Sequence, residues 1–323
     1  MLNIYQIENG RLAKRDTLDA LTEGHAWIDM LEPTEEEDLA VEALLGISIP
    51  TRAEMREIEA SNRLYVEQGA HVMTAIIAHS IDRGAPHFSA VTFILSGRLA
   101  VTVRYIEPKA VALFLQRTAR GDAECDTSVS VVVGILESII QRMADSIEHI
   151  QDEVNRIGSA AFQIKGGQQT RTKRLDVALK SIGHLGETTS RTEESVTSLD
   201  RLLLFLYQGM KQRNDNPRDI QRVKIVHRDI RSLIEHLHFL TDRITFMLDA
   251  VLGMIANEQN QIIKLFSVMA VMLMPPTLVA SIYGMNFKVM PELDWPLGYP
   301  MALLLMLVAA LVPYIYFRRK GWL

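Results

Sequence analysis

The chain has a single cysteine, Cys125, among 323 residues. One thiol excludes an intramolecular disulfide framework and a cysteine metal cluster, so Cys125 reads as an incidental, buried thiol. Enzymatic signatures are also missing. The sequence holds no glycine-rich phosphate loop, no nucleophile elbow and no His-Glu-x-x-His, and no enzyme activity is expected. His71, His79 and His87 recur every eight residues, but none has a ligand partner at a usual spacing. His236 and His238, two apart on an expected helix, do not share a face. All five read as structural. Residues 1–10 contain neither a basic stretch nor an apolar core, so no cleavable signal is expected and membrane insertion falls to the other end of the chain.

Net positive charge is absent too, the chain carrying −5. Residues 261–323 hold five basic side chains against two acidic ones, a net +3, which leaves −8 for residues 1–260. An acidic N-terminal part argues against nucleic acid as a partner and favours cations. Charge of either sign vanishes from 265–283, just after Lys264, and again from 299–317, where Arg318-Arg319-Lys320 ends the run. Each run is close to the ~20 residues that cross a bilayer as a helix. Two buried helices of a soluble domain are the alternative, but such helices rarely run about five turns uncharged. A C-terminal transmembrane hairpin is therefore expected. Its basic flanks place both termini in the cytoplasm and the 284–298 loop outside. The first span then runs outward, with its free carbonyls and the negative end of its dipole at the outer mouth, a polarity that suits a cation.

Before the spans, the pattern shifts between period two and short helices. Strands are expected at 2–7, 26–31, 63–67, 71–79, 89–95 and 99–104. Thr34 is placed to cap a helix, with Glu37 completing a capping box. Further helices are expected around 52–60 and 109–118, and Gly69, Gly84 and Gly97 fall at turns. This makes 1–126 an α/β domain. The sequence then turns continuously helical, with Val132, Ile135, Ile139, Met143 and Ile147 on one stripe. Gly166-Gly167 breaks it, and a more polar helix at 172–210 pairs back, so 127–213 reads as a helical hairpin. Acidic runs on these helices read as solvated faces, a metal site being the alternative.

After Asn214-Asp215-Asn216-Pro217, one long helix is expected. Val223, Val226, Ile230, Leu233, Leu237, Leu240, Ile244, Met247, Val251 and Met254 alternate spacings of three and four. That ~3.5-residue repeat asks for a supercoiled seam and implies self-association. Counted from Pro217 to Gly284 the helix is about 100 Å long, too long for one compact domain, so 214–264 reads as a stalk, followed by spans at 265–283 and 299–317 and a basic tail at 318–323. On the first span Asn260, Ile263, Ser267, Ala270, Met274, Thr277 and Ser281 share one narrow face. A pore lining and a packing surface toward lipid both fit that spacing. Pro275-Pro276 frees the carbonyls of Val271 and Met272, tolerable only against protein or water; a simple kink is the alternative.

Tyr283-Gly284-Met285-Asn286, followed by Met290-Pro291-Glu292-Leu293 between two terminal spans and by the Arg318-Arg319-Lys320-Gly321-Trp322-Leu323 end, resembles the CorA family of divalent-cation channels. The likeness is strongest over 242–323. It implies a funnel-shaped homopentamer in a bacterial inner (plasma) membrane, with the first span lining the pore and N-terminal domains that sense cytoplasmic magnesium and close the stalk. It makes Gly284, Met285 and Asn286 the selectivity filter. Magnesium sheds water reluctantly, so Asn286 oxygens and the Gly284 carbonyl would accept hydrogen bonds from its hydration shell. Gly284 would end the helix in a conformation that exposes carbonyls, with Met285 packed behind. Glu292 and Asp294 would concentrate cations at the mouth, although Lys288 stands where many family members carry an acid. Asp249 matches an inner-pore acid, and Asp219 and Asp229 lie near the stretch of stalk that holds regulatory metal. The implied cargo is Mg2+, also the regulatory ligand, with Co2+ and Ni2+ as further ions. A zinc transporter of the same fold and a membrane-anchored scaffold that transports nothing are the alternatives.

Overall fold

The computed structural model describes all residues except 58, 80–86, 163–167, 287, 289, 292–294 and 323, and the chain forms two units. Its strands are β1 (Leu2–Glu8), β2 (Arg11–Arg15), β3 (Ala26–Leu31), β4 (Leu64–Glu67), β5 (Ala70–His79), β6 (His87–Ser96) and β7 (Leu99–Arg104). Its helices are α1 (Glu35–Leu45), α2 (Ala60–Arg63), α3 (Lys109–Arg120), α4 (Ser128–Phe162), α5 (Gln168–Arg213), α6 (Pro217–Tyr283) and α7 (Gly298–Arg319). The turn expected at Gly84 and the break expected at Gly166-Gly167 lie outside the described residues.

The first unit comprises Met1–Gln163 and Lys180–Met247. Its strands form one sheet ordered β2-β1-β3-β7-β6-β5-β4, in which β3 and β7 run parallel and the other neighbours antiparallel. β3 is apolar almost throughout rather than alternating, because both of its faces are covered. On one face Ile28 and Met30 join Val41 and Leu45 of α1, together with Met55, Ile94 and Val101. On the other, Trp27 meets Phe114 of α3 edge to face, with centroids 5.9 Å apart. Gly134 lets α4 approach that ring closely, since a Cβ there would lie 2.5 Å from Phe114 Cε2. Between β3 and β7, Arg104 donates to both Asp29 carboxylate oxygens at 2.8 Å, and Thr102 Oγ1 donates to Asp29 Oδ1 at 2.8 Å.

Local sequence decides several of these elements. Thr34 Oγ1 accepts the Glu37 amide at 3.3 Å and Glu37 Oε2 accepts the Thr34 amide at 3.0 Å, while Gly46 stops α1 in the left-handed region at φ +76°. The helix expected around 52–60 is instead a single 3-10 turn, Glu54–Arg56, and the four-residue α2. Glu54 folds back to accept both the amide and the hydroxyl of Thr51 at 2.8 Å, which closes the cap over one turn while Met55 turns into the core. β2 was not expected; it is a basic edge strand paired to β1.

The apolar seam of α6 is used inside the chain, which corrects the reading that it holds copies together. Val223, Val226, Ile230, Leu237, Leu240, Ile244 and Met247 are buried in the first unit. α4 and α5 supply the partners. Arg222 donates to both Glu137 oxygens at 2.8 and 2.9 Å, His236 Nε2 lies 2.8 Å from Gln151 Oε1, and His227 Nε2 lies 3.1 Å from Asp200 Oδ1. Near the other end, a Cβ on Gly158 would sit 3.3 Å from Met247 Sδ. The stripe Val132, Ile135, Ile139, Met143 and Ile147 on α4 is buried throughout.

The second unit comprises Ile164–Leu179 and Leu248–Leu323. α7 and the C-terminal part of α6 are both long and apolar enough to cross a membrane, and only 6 % of the most apolar window of each is buried. Lys264 Nζ lies 5.8 Å from the Trp322 ring centroid, so the start of the first apolar run and the end of the second come together.

Candidate ion-conduction site

All seven residues of the stripe on the C-terminal half of α6, from Asn260 to Ser281, are exposed. α6 stays helical through Pro275 and Pro276, and Thr277 Oγ1 donates to the Met274 carbonyl at 2.8 Å, which occupies the hydroxyl proton and leaves the oxygen outward. At its end Gly284 donates to the Ala280 carbonyl at 3.0 Å and Met285 to the Ile282 carbonyl at 3.3 Å. Gly284 ends the helix without a left-handed φ; a glycine fits because a Cβ would approach the Ala280 oxygen to 3.1 Å. Asn286 is exposed, and Met285 is 50 % exposed. Lys288 is exposed as well, whereas Glu292 and Asp294 lie outside the described residues.

The stripe has a continuation that the sequence reading missed. Stepping back from Asn260 by the same alternation of four and three gives Ala256, Gly253, Asp249, Phe246, Asp242, Phe239, Glu235, Ser232, Arg228 and Ile225, and every one is exposed. Phe239 and Phe246 are 58 % and 67 % exposed. Phenylalanines seven apart on a solvent face were the available signal, obscured by the stronger seam on the opposite side of the helix. Asp249 falls on this stripe, while Asp229 lies beside it, exposed, with Arg228 Nε 3.9 Å away. Asp219 differs: it is 4 % exposed, accepting from Thr127 Oγ1 at 3.3 Å and Arg222 Nη1 at 3.5 Å. The three aspartates are not brought together, and among the described residues no three His, Cys, Asp or Glu side chains gather as a metal site.

Burial raises the Asp219 carboxyl above its ordinary pKa, against the pull of Arg222 and Thr127. A carboxyl raised in this way keeps its proton in the folded chain after the unfolded chain has released it, so stability falls as pH climbs through the usual carboxylate range and above. Asp219→Asn should remove that fall. Denaturation midpoints of the variant between about pH 4 and 7 should vary less than those of the parent, and an unchanged slope would show that Asp219 carries no such penalty.

A large α/β unit is followed by two membrane-length apolar helices, the first of which carries the exposed stripe and ends at Gly284, an arrangement that fits a membrane protein. Comparison with known proteins makes this specific. The family described as CorA-like Mg2+ transporter protein matches residues 22–319. The magnesium transport proteins CorA of Escherichia coli K12 and Salmonella typhimurium are each 34 % identical over 326 aligned positions, covering all of both chains. Among solved structures, CorA from Methanocaldococcus jannaschii superposes with a TM-score of 0.79 at 19 % identity, over 100 % of this chain and 99 % of that one. The cytoplasmic domain of ZntB from Vibrio parahaemolyticus shares the fold of 79 % of the chain, at a TM-score of 0.56, 10 % identity and 98 % coverage of its own length. The chain belongs to the CorA family.

Proposed function

We propose that this chain carries magnesium across a bacterial inner membrane, as a homopentameric channel whose axis is lined by the exposed stripe of α6 and whose outer mouth is ringed by Asn286. The observation that carries the reading is the stripe itself: one helix face is exposed from Ile225 to Ser281 at unbroken three-four spacing and runs into Gly284-Met285-Asn286. A single chain has no reason to keep Phe239 and Phe246 in water, but copies packed about an axis cover them. Asn286 and the Gly284 carbonyl bind the hydrated ion through its water, a mode that reads size and charge and so admits Co2+ and Ni2+ beside Mg2+. Asp249 supplies an inner ring of carboxylates. The proximity of Lys264 and Trp322 supports a hairpin with both flanks on one face of the bilayer, the cytoplasmic one by the basic tail. Uptake of Mg2+ into liposomes containing only this chain tests the reading, and its absence from properly inserted protein would refute transport.

Self-association is checked separately. Phe239→Asp with Phe246→Asp places a charge where each copy meets the next, without touching the buried seam. Native mass spectrometry should show five copies for the parent and mostly monomers for the variant, with the melting of the cytoplasmic part unchanged. A monomeric parent in intact, active preparations would exclude the ring.

Gating by cytoplasmic magnesium follows from the −8 charge of residues 1–260. Magnesium bridging acids such as Asp229 between copies offsets repulsion and shifts the population toward a closed ring. Proteolysis of the purified protein should slow as Mg2+ rises through the millimolar range; identical digestion with and without the ion would remove the sensing role and leave transport standing.

A further inference from the structure

The corner between α5 and α6 is tied to the sheet through one histidine outside the conduction path. His71 on β5 is 7 % exposed. Arg213, the last residue of α5, donates from Nη1 to His71 Nδ1 at 2.8 Å. A guanidinium has no lone pair to offer, so Nδ1 is the acceptor and the ring is neutral, with its proton on Nε2. The same guanidinium donates from Nη2 and Nε to Asp215 Oδ2 at 2.7 and 3.2 Å. Asp215 lies in the short link from Asn214 to Asn216 that leads into α6. There Asn214 takes a left-handed φ of +56°, and the Asp215 amide returns to the Met210 carbonyl at 3.0 Å. The ring cannot turn aside toward α5, because a Cβ on Gly209 would lie 2.5 Å from Nε2 and the Phe205 centroid stands 5.8 Å away. The residues opposite His71 are Val66 on β4 and Leu95 on β6, both uncharged.

We propose that His71 is a proton-operated latch: neutral, it holds the α5–α6 corner against β5, and protonated, it releases that corner. A proton on Nδ1 sets an imidazolium N–H against a guanidinium N–H, so the acceptor is lost and two positive charges meet. Because the ring is wedged, Arg213 is the side that moves, and Asp215 goes with it. The charges around the ring agree. Burial, and then Arg213, hold the imidazole below its ordinary pKa, while a hydrogen bond to the Gly69 backbone and the Asp215 carboxylate pull the other way. A histidine lowered in this way stays uncharged in the closed state after the opened state has begun to take up protons. The latch is therefore intact above about pH 6.5 and weakens as pH falls below it. His71, Arg213 and Asp215 all belong to the first unit, so the latch works whether or not the chain conducts.

Amide hydrogen exchange of the full chain in detergent, corrected for the pH dependence of the chemical step, tests this at residues 208–216. In the parent, protection there should fall about tenfold between about pH 7.5 and 5.5, the factor by which an imidazole of ordinary pKa in the opened state takes up protons. Residues 99–104 of β7 should keep theirs. His71→Asn sets Oδ1 where Nδ1 stands and gains no proton in this range, so it should remove the fall. Arg213→Met lacks the donor and should show the lowered protection already at the higher pH. Unchanged protection of the parent between the two conditions would overturn the latch whatever the variants do, and so would an equal fall in His71→Asn.

Discussion

Asn286→Ala is expected to abolish magnesium uptake into liposomes while leaving assembly and insertion intact. Asn286 is exposed beyond the end of α6, so its loss opens no cavity and the chain has no folding reason to fail. In the proposed filter its side-chain oxygen is the acceptor offered to the hydrated ion, and a hydrogen bond of that charge-assisted kind is worth about 1.5–3 kcal/mol. Losing even one such bond lowers occupancy by about 10- to 150-fold, and a symmetric ring loses one per copy. Asn286→Asp is the sharper variant, because it keeps the acceptor and adds a charge. It should retain or tighten divalent binding, slow the flux and change the order of preference among Mg2+, Co2+ and Ni2+. Should the alanine variant assemble and conduct at the parent rate, the filter would have to be sought deeper, at Thr277 and Met274.

The largest expected effect on stability is at the Asp29–Arg104 pair. Side-chain exposures of 2 % and 8 % take both groups out of water. Burial alone would lower the Arg104 pKa, and the Asp29 carboxylate more than reverses it. Asp29→Ala leaves a buried guanidinium whose remaining hydrogen bond among the described residues is to the Ile106 carbonyl at 2.7 Å, a loss of about 3–5 kcal/mol. That is a large share of the ~5–15 kcal/mol that ordinary domains possess, so the single variant should melt far below the parent or accumulate poorly. Asp29→Leu combined with Arg104→Met removes both charges and should recover most of the loss. Thermal unfolding of the three proteins decides the matter, and an alanine variant as stable as the parent would mean that water reaches the pair.

What could be read in the sequence, and what could not, follows from how local each signal is. Thr34 and Glu37 announce α1 because a capping box is complete within four residues, and the uncharged runs announce two membrane-length helices because composition alone carries that information. Arg11–Arg15 gave no strand signal, since its basic side chains fit a sheet edge but form no apolar alternation. The helix expected around 52–60 gives way to a single turn because Thr51 and Glu54, a pair that can also open a helix, close on one another. The seam of α6 marked correctly which face is buried, yet periodicity does not name the partner, and here α4 and α5 of the same chain take it. Gly284-Met285-Asn286 is legible as the point where α6 stops, while the ten exposed positions that extend its stripe back to Ile225 are dispersed among charges and became visible only with burial known.

The burial of Val223 to Met247 against α4 and α5 also sets a timetable for biosynthesis. The first unit lacks its last helical layer until Met247 has been made, and the first apolar run begins at residue 265. At ~5–20 residues per second of translation, that interval lasts about one to four seconds. The strip that covers α4 and α5 is therefore complete only about one to four seconds before the first apolar run is made, so closure of the first unit has little lead over the handling of that hydrophobic segment.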